Sequence, residues 1–93
     1  MIVGVMILDL FSENTHSLKE KRHIVSSLKE KLCNRFNISL IESDYQDLWQ
    51  KIQIAIAIVS NSKKMCDRVF NRIENFVFSN YSIQLINLRK EYF

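Results

Sequence analysis

The stretch from Ile52 to Val59 reads IQIAIAIV, eight residues of unbroken period-two alternation. Ile52, Ile54, Ile56 and Ile58 fall on one face, and Gln53, Ala55, Ala57 and Val59 on the other. Successive side chains point to opposite sides of a strand, so this segment is a β-strand whose branched face needs a covering layer. A second run, Ile2 to Phe11, is apolar on both faces and too short to span a bilayer, which makes it a central strand. Two such strands commit the chain to a sheet, and the intervening segments supply what packs on it.

After the first strand, Ser17 and Glu20 form an S-x-x-E capping box that opens a helix. Leu18, Val25, Leu28, Leu32 and Phe36 then recur near the helical period, predicting a helix to about Phe36. Asn37 is expected to take the left-handed stop that usually falls to glycine. Ile38 to Ser43 alternates as an edge strand does. Beyond the isoleucine strand, Asn61 or Ser62 caps a second helix with Cys66, Val69, Phe70, Ile73, Phe76 and Val77 inward. That helix stops at Asn80, and a last strand runs from Ser82 to Leu88 or Tyr92.

The order β-α-β-β-α-β within one domain of 93 residues is the α+β, ferredoxin-like arrangement. Right-handed crossovers give an antiparallel sheet in strand order 4-1-3-2 with both helices on one face. Asp9 sets the phase of the first strand, because a carboxylate should not face the helices. Val3, Val5 and Ile7 therefore join Ala55, Ala57 and Val59 on the uncovered face. An apolar face of that extent predicts a homodimer or a docked partner.

Composition removes several function classes. One Gly and no Pro leave no P-loop, no dinucleotide-binding fingerprint and no glycine-clamped KH loop, each of which needs several positions without a Cβ. No apolar run reaches the ~18 residues of a membrane span, and the first residues lack a charged n-region and cleavage site. A cytoplasmic location with reduced Cys33 and Cys66 is expected. These cysteines and His16 and His23 have no metal-ligand spacing, so neither a metal nor another cofactor is expected. No nucleophile–base–oxyanion set can be assembled, and the chain reads as non-enzymatic.

Charge is unevenly placed. Residues 17–36 hold six Lys/Arg against two Glu and residues 63–80 hold four against two, so the helices exceed the net +3 and the rest is acidic. The helical face should be positive, strongest at Lys19, Arg22, Lys29, Lys31 and Arg35, with Lys63, Lys64, Arg68 and Arg72 beside them. Such a surface fits salt-dependent contact with RNA phosphates, against the plainer reading of a solvated helix face. The open sheet lacks the stacking aromatics of an RRM, so contact would be to the backbone.

One cation breaks the pattern. At about 100° per residue, Lys21 falls in the middle of the first helix's apolar stripe. The topology brings the loop between the second and third strands to the same end as this helix's start, so Glu42, Asp44 and Asp47 should lie near Lys21 and Ser17. The cluster reads first as a structural tie, then as an anion site at a helix N-terminus, and least as acid–base machinery. Trp49, the single tryptophan, reads as an anchor for a loop or an interface.

SLKEKR (Ser17–Arg22), RFNIS (Arg35–Ser39), QDLWQ (Gln46–Gln50) and VSN (Val59–Asn61) resemble the YlxP-like bacterial family of unknown function. The resemblance spans nearly the whole chain. It implies a small ferredoxin-like domain with no established enzymatic activity, often encoded beside genes for translation initiation and ribosome maturation. Ile52 and Ala55 stand where the family commonly has Ala and Gly, and Ile41-Glu42 replaces an Ala-Glu pair. Residues and resemblance together lead to an RNA- or ribosome-binding module. The alternatives are a small-ligand regulatory domain and a protein–protein adaptor working through the open sheet.

Overall fold

The isoleucine face is the floor of the core. The computed structural model describes residues 1–93 and runs β1 (Ile2–Phe11), α1 (Leu18–Arg35), β2 (Ser39–Asp44), β3 (Lys51–Ser60), α2 (Lys63–Asn80) and β4 (Gln84–Tyr92). The strands form one antiparallel sheet in the order β2-β3-β1-β4, the expected 4-1-3-2 order read from the other edge. The register sets Leu10, Leu8 and Met6 of β1 opposite Ile52, Ile54 and Ile56 of β3. All six are buried, and the helices cover them with Leu28 and Leu32 from α1 and Cys66, Phe70, Ile73 and Val77 from α2.

The single glycine marks the closest approach of these layers. Gly4 stands opposite Ile58 on the core face of β1, and a Cβ there would lie 3.1 Å from both Cys66 Sγ and Phe70 Cζ. Glycine lets α2 sit this low on the sheet. Asp9 points to the uncovered side, where its Oδ1 accepts a 2.6 Å hydrogen bond from Gln53 Nε2 of the neighbouring strand. The phase assigned from that one carboxylate is the phase of β1.

The exit of the first helix differs from expectation, while the second ends at Asn80 as its pattern indicates. α1 leaves through Phe36 in extended conformation (φ −128°, ψ 144°), with the Phe36 N–H donating to the Leu32 carbonyl. Asn37 adopts no left-handed conformation; the one non-glycine residue with positive φ is Tyr45, at 62°. An extended exit places Phe36 and Ile38 against the core at once, where both are partly buried. α2 ends at Asn80 and exits the same way through Tyr81 (φ −130°, ψ 140°). β2 begins one residue later than the alternation suggests and reaches Asp44, and β4 starts at Gln84.

Both edge strands carry an irregularity. In β2 the register shifts between Glu42 and Asp44, and in β4 the shift lies opposite Asp9 and Leu10, leaving Ile86 extra. Bulges twist an edge and interrupt the ladder that another chain would copy.

Candidate nucleic-acid interface

The start of α1 is fixed by Ser17, whose Oγ accepts from the Glu20 N–H at 3.1 Å. The Glu20 carboxylate reaches one residue beyond the cap and accepts from the His16 N–H at 2.7 Å. This pins the first turn and aims Lys21 inward. Lys21 is 1% exposed. Its Nζ lies 2.9 Å from Glu42 Oε2 and donates a hydrogen bond to the Tyr45 carbonyl. Glu42 stands opposite Ile54 and therefore faces the helices from the edge strand. Its Oε2 accepts no hydrogen bond in favourable geometry, so the contact with Lys21 is ionic and the ammonium's directed bond goes to the carbonyl.

Asp44 and Asp47 do not join this pair, contrary to expectation. The bulge sets both Ser43 and Asp44 against Gln53, which breaks the alternation that would have returned Asp44 to the helix face. The Asp44 Oδ1 instead accepts from the Tyr45 N–H at 2.7 Å and supports that residue's left-handed backbone. Asp47 is exposed on the loop. Trp49 is 53% exposed and does not anchor the loop by burial. The loop is held by Gln50, whose carbonyl accepts from the Ser12 N–H at 2.8 Å and whose Nε2 donates to the Glu13 carbonyl at 3.1 Å. The two ends of this loop are tied separately, Tyr45 to Lys21 of SLKEKR and Gln50 of QDLWQ to Ser12 and Glu13 after β1, and neither aspartate takes part.

The basic residues do not form one continuous face. Lys19 and Arg22 line a shallow hollow with His23 and Ser26 on the outer flank of α1, and Lys29 is exposed. Lys31 lies 5.7 Å from the Tyr81 ring centroid. Lys63 turns away from α1 and sits 4.8 Å over Tyr92 of β4. Lys64 is exposed at the start of α2. Arg35, Arg68 and Arg72 come together in a cleft of about 790 Å³ at the end where α1 finishes and α2 begins. The Arg35 guanidinium is 4.4 Å from the centre of the Phe76 ring. The charge sum over the two helices concealed this division, because helical rotation sends residues of one segment to opposite flanks.

The uncovered sheet face carries Val3, Val5 and Ile7 of β1 beside Val59, Ala57 and Ala55 of β3. Ile41 of β2 extends it beside Ala55 and is 60% exposed. On the other side Arg89 and Glu91 of β4 stand opposite Ile7 and Val5. Sequence reasoning gave Tyr45, Phe36 and Met65 no role at a site: a left-handed tyrosine carries no compositional mark, and Phe36 reads as one position of the first helix's apolar stripe.

A family model described as a protein of unknown function (DUF503) matches residues 3–90. The chain belongs to this family. It is 36% identical over 92 residues to the uncharacterized protein YlxP of Bacillus subtilis (strain 168), covering 99% of this chain and 100% of that protein. Among solved structures it is similar to the de novo designed protein Foldit4, with TM-score 0.59, 13% identity and coverage of 98% and 97% of the two chains. It is also similar to At3g17210 from Arabidopsis thaliana, with TM-score 0.52, 12% identity and coverage of 98% and 92%. At such identities these structures speak to the fold alone. No helix is long and apolar enough to cross a membrane.

Proposed function

We propose that this DUF503 protein is a cytoplasmic, non-enzymatic binding module that contacts RNA, free or within a ribosomal particle, through the phosphates. One observation carries the reading. None of the nine lysines and arginines identified on α1 and α2 has a carboxylate within ion-pair distance; the ion pairs are Lys21–Glu42 and Lys90–Glu74. Cations held in internal pairs would have little to offer a polyanion, whereas these remain available to displace counterions from phosphates. The uncovered face offers Gln53, Ala55, Ala57 and Val59 in its middle, with no ring to stack a base, so the contact is assigned to the helical layer.

A homodimer through the uncovered face accompanies this reading. The apolar rows there are flanked by Arg89 and Glu91, two opposite charges two residues apart on one edge strand. A two-fold pairing sets such a couple against itself with the signs matched. The helices then face outward on both subunits.

Co-sedimentation with ribosomal particles at low and high salt tests the main reading. Retention at low salt, release at high salt, and loss of retention in the Lys19→Glu, Arg22→Glu, Lys29→Glu variant are expected. Absence of retention at low salt would contradict it.

A further inference from the structure

We infer that the cleft between the end of α1 and the first turns of α2 is a nucleotide-binding site, with the phosphate at Arg35, Arg68 and Arg72 and the base against Phe36, Met65 and Val69. This deepens the RNA reading and rests on it only for the source of the nucleotide, an unpaired residue of RNA or a free mononucleotide.

The cleft holds about 790 Å³, inside the range of roughly 300–1,000 Å³ that small-molecule sites occupy. Three guanidinium groups line it and no carboxylate does. Arg68 and Arg72 are one helical turn apart and share a side of α2. Arg35 reaches in from the end of α1, its guanidinium carbon 4.4 Å from the centre of the Phe76 ring of α2. Stacking fixes a guanidinium while leaving its N–H edges free, and those edges match the oxygens of a phosphate in pairs.

The backbone points the same way. α2 is capped by Ser62, whose Oγ accepts from the Met65 N–H at 3.2 Å, and it carries no acidic residue in its first turn. α1 has Glu20 in the equivalent turn. The positive end of the α2 dipole therefore meets no carboxylate within its own first turn, at the same end of the molecule as the arginines. A bare phosphate would need only this charge. Half of the residues lining the cleft are hydrophobic, and Asn37 and Asn61 place side-chain amides at its edge. A planar base with polar edges uses both surfaces; an inorganic anion leaves the apolar one unused.

The test is an amide-resolved NMR titration of the full chain with AMP, with adenosine, and with a short unpaired oligoadenylate. AMP and the oligonucleotide are expected to move the amides of residues 35–37 and 65–72, and adenosine far less. Arg68→Ala with Arg72→Ala should weaken AMP by about tenfold or more, the loss of one charge-assisted contact at least. Arg68→Lys with Arg72→Lys should stay well below wild type, because an ammonium cannot fork. The Lys19→Glu, Arg22→Glu, Lys29→Glu variant, altered outside the cleft, should bind AMP as wild type does while losing the oligonucleotide. AMP shifts elsewhere, or shifts unchanged by the double alanine variant, would overturn the inference. If the oligonucleotide binds and neither ligand moves the cleft amides, the inference fails and the RNA reading stands. If AMP fills the cleft and the oligonucleotide does not bind, the RNA reading fails and the nucleotide is a free one.

Discussion

A lysine that is 1% exposed persists only where its charge is met. Lys21 meets Glu42, which the regular register of β2 turns towards the helices, and the Tyr45 carbonyl, which follows the edge-strand bulge and belongs to the left-handed residue of the turn. Breaking a buried pair from one side leaves the other charge stranded, whereas replacing both partners by apolar groups is often neutral. Glu42→Gln should therefore lower unfolding stability by about 3 kcal/mol, and Lys21→Met with Glu42→Leu should return to within about 1 kcal/mol of wild type. Urea unfolding checks both; a neutral Glu42→Gln would mean the pair holds nothing together. The anomaly at Lys21 was legible from helical periodicity alone. Its partner was legible only as one of three carboxylates. The choice among them depends on the bulge at Ser43, and serine flanked by acids carries no sign of an extra residue in a ladder.

The elements themselves follow from pattern, and their joints do not. Period two in β3 and the capping serines of α1 and α2 mark where strands and helices lie. Phe36, which ends α1 in extended conformation, reads as one more inward position of the helix, and the extended exit shared with Tyr81 after Asn80 carries no mark in the pattern. The tie between α2 and β4 belongs to this scale. Tyr92 donates its hydroxyl proton to Asp67 Oδ1 and packs 6.5 Å from Phe70. That hydrogen bond, with burial and the Asp67 charge behind it, pushes the phenol from 10.0 up to about 12. The folded chain then keeps a proton that the unfolded chain releases. This stabilisation is complete below pH 10.0 and is lost as pH rises towards about 12. Ultraviolet titration should show one tyrosine ionising late, and Tyr92→Phe should flatten the alkaline fall in stability. A Tyr92 that titrates with the other tyrosines would contradict the tie.

At the scale of the molecule, two surfaces were foreseen with unequal resolution. The uncovered sheet face was readable residue by residue, because alternation in β1 and β3 assigns each side chain to a side. If that face joins two copies, sedimentation at high protein concentration should give twice the 11.1 kDa chain mass. Val5→Glu should then return the monomer while leaving the fold intact. A wild-type monomer at high concentration would contradict the dimer.

The basic layer was readable only as a sum. Counting charges along α1 and α2 gives a positive face, but rotation about each helix scatters it into an outer flank, a pair of aromatic contacts and the three-arginine cleft. Phosphate contact by unpaired cations is the central claim, and the dependence of RNA affinity on salt tests it most directly. Each phosphate neutralised on a single strand adds about −0.7 to the slope of log K against log salt. Fluorescence anisotropy with a labelled oligoribonucleotide should give a steep negative slope for wild type. The Lys19→Glu, Arg22→Glu, Lys29→Glu variant should be shallower by about 2 units and bind more weakly at every salt concentration. A slope near zero, or one that the variant leaves unchanged, would contradict the account.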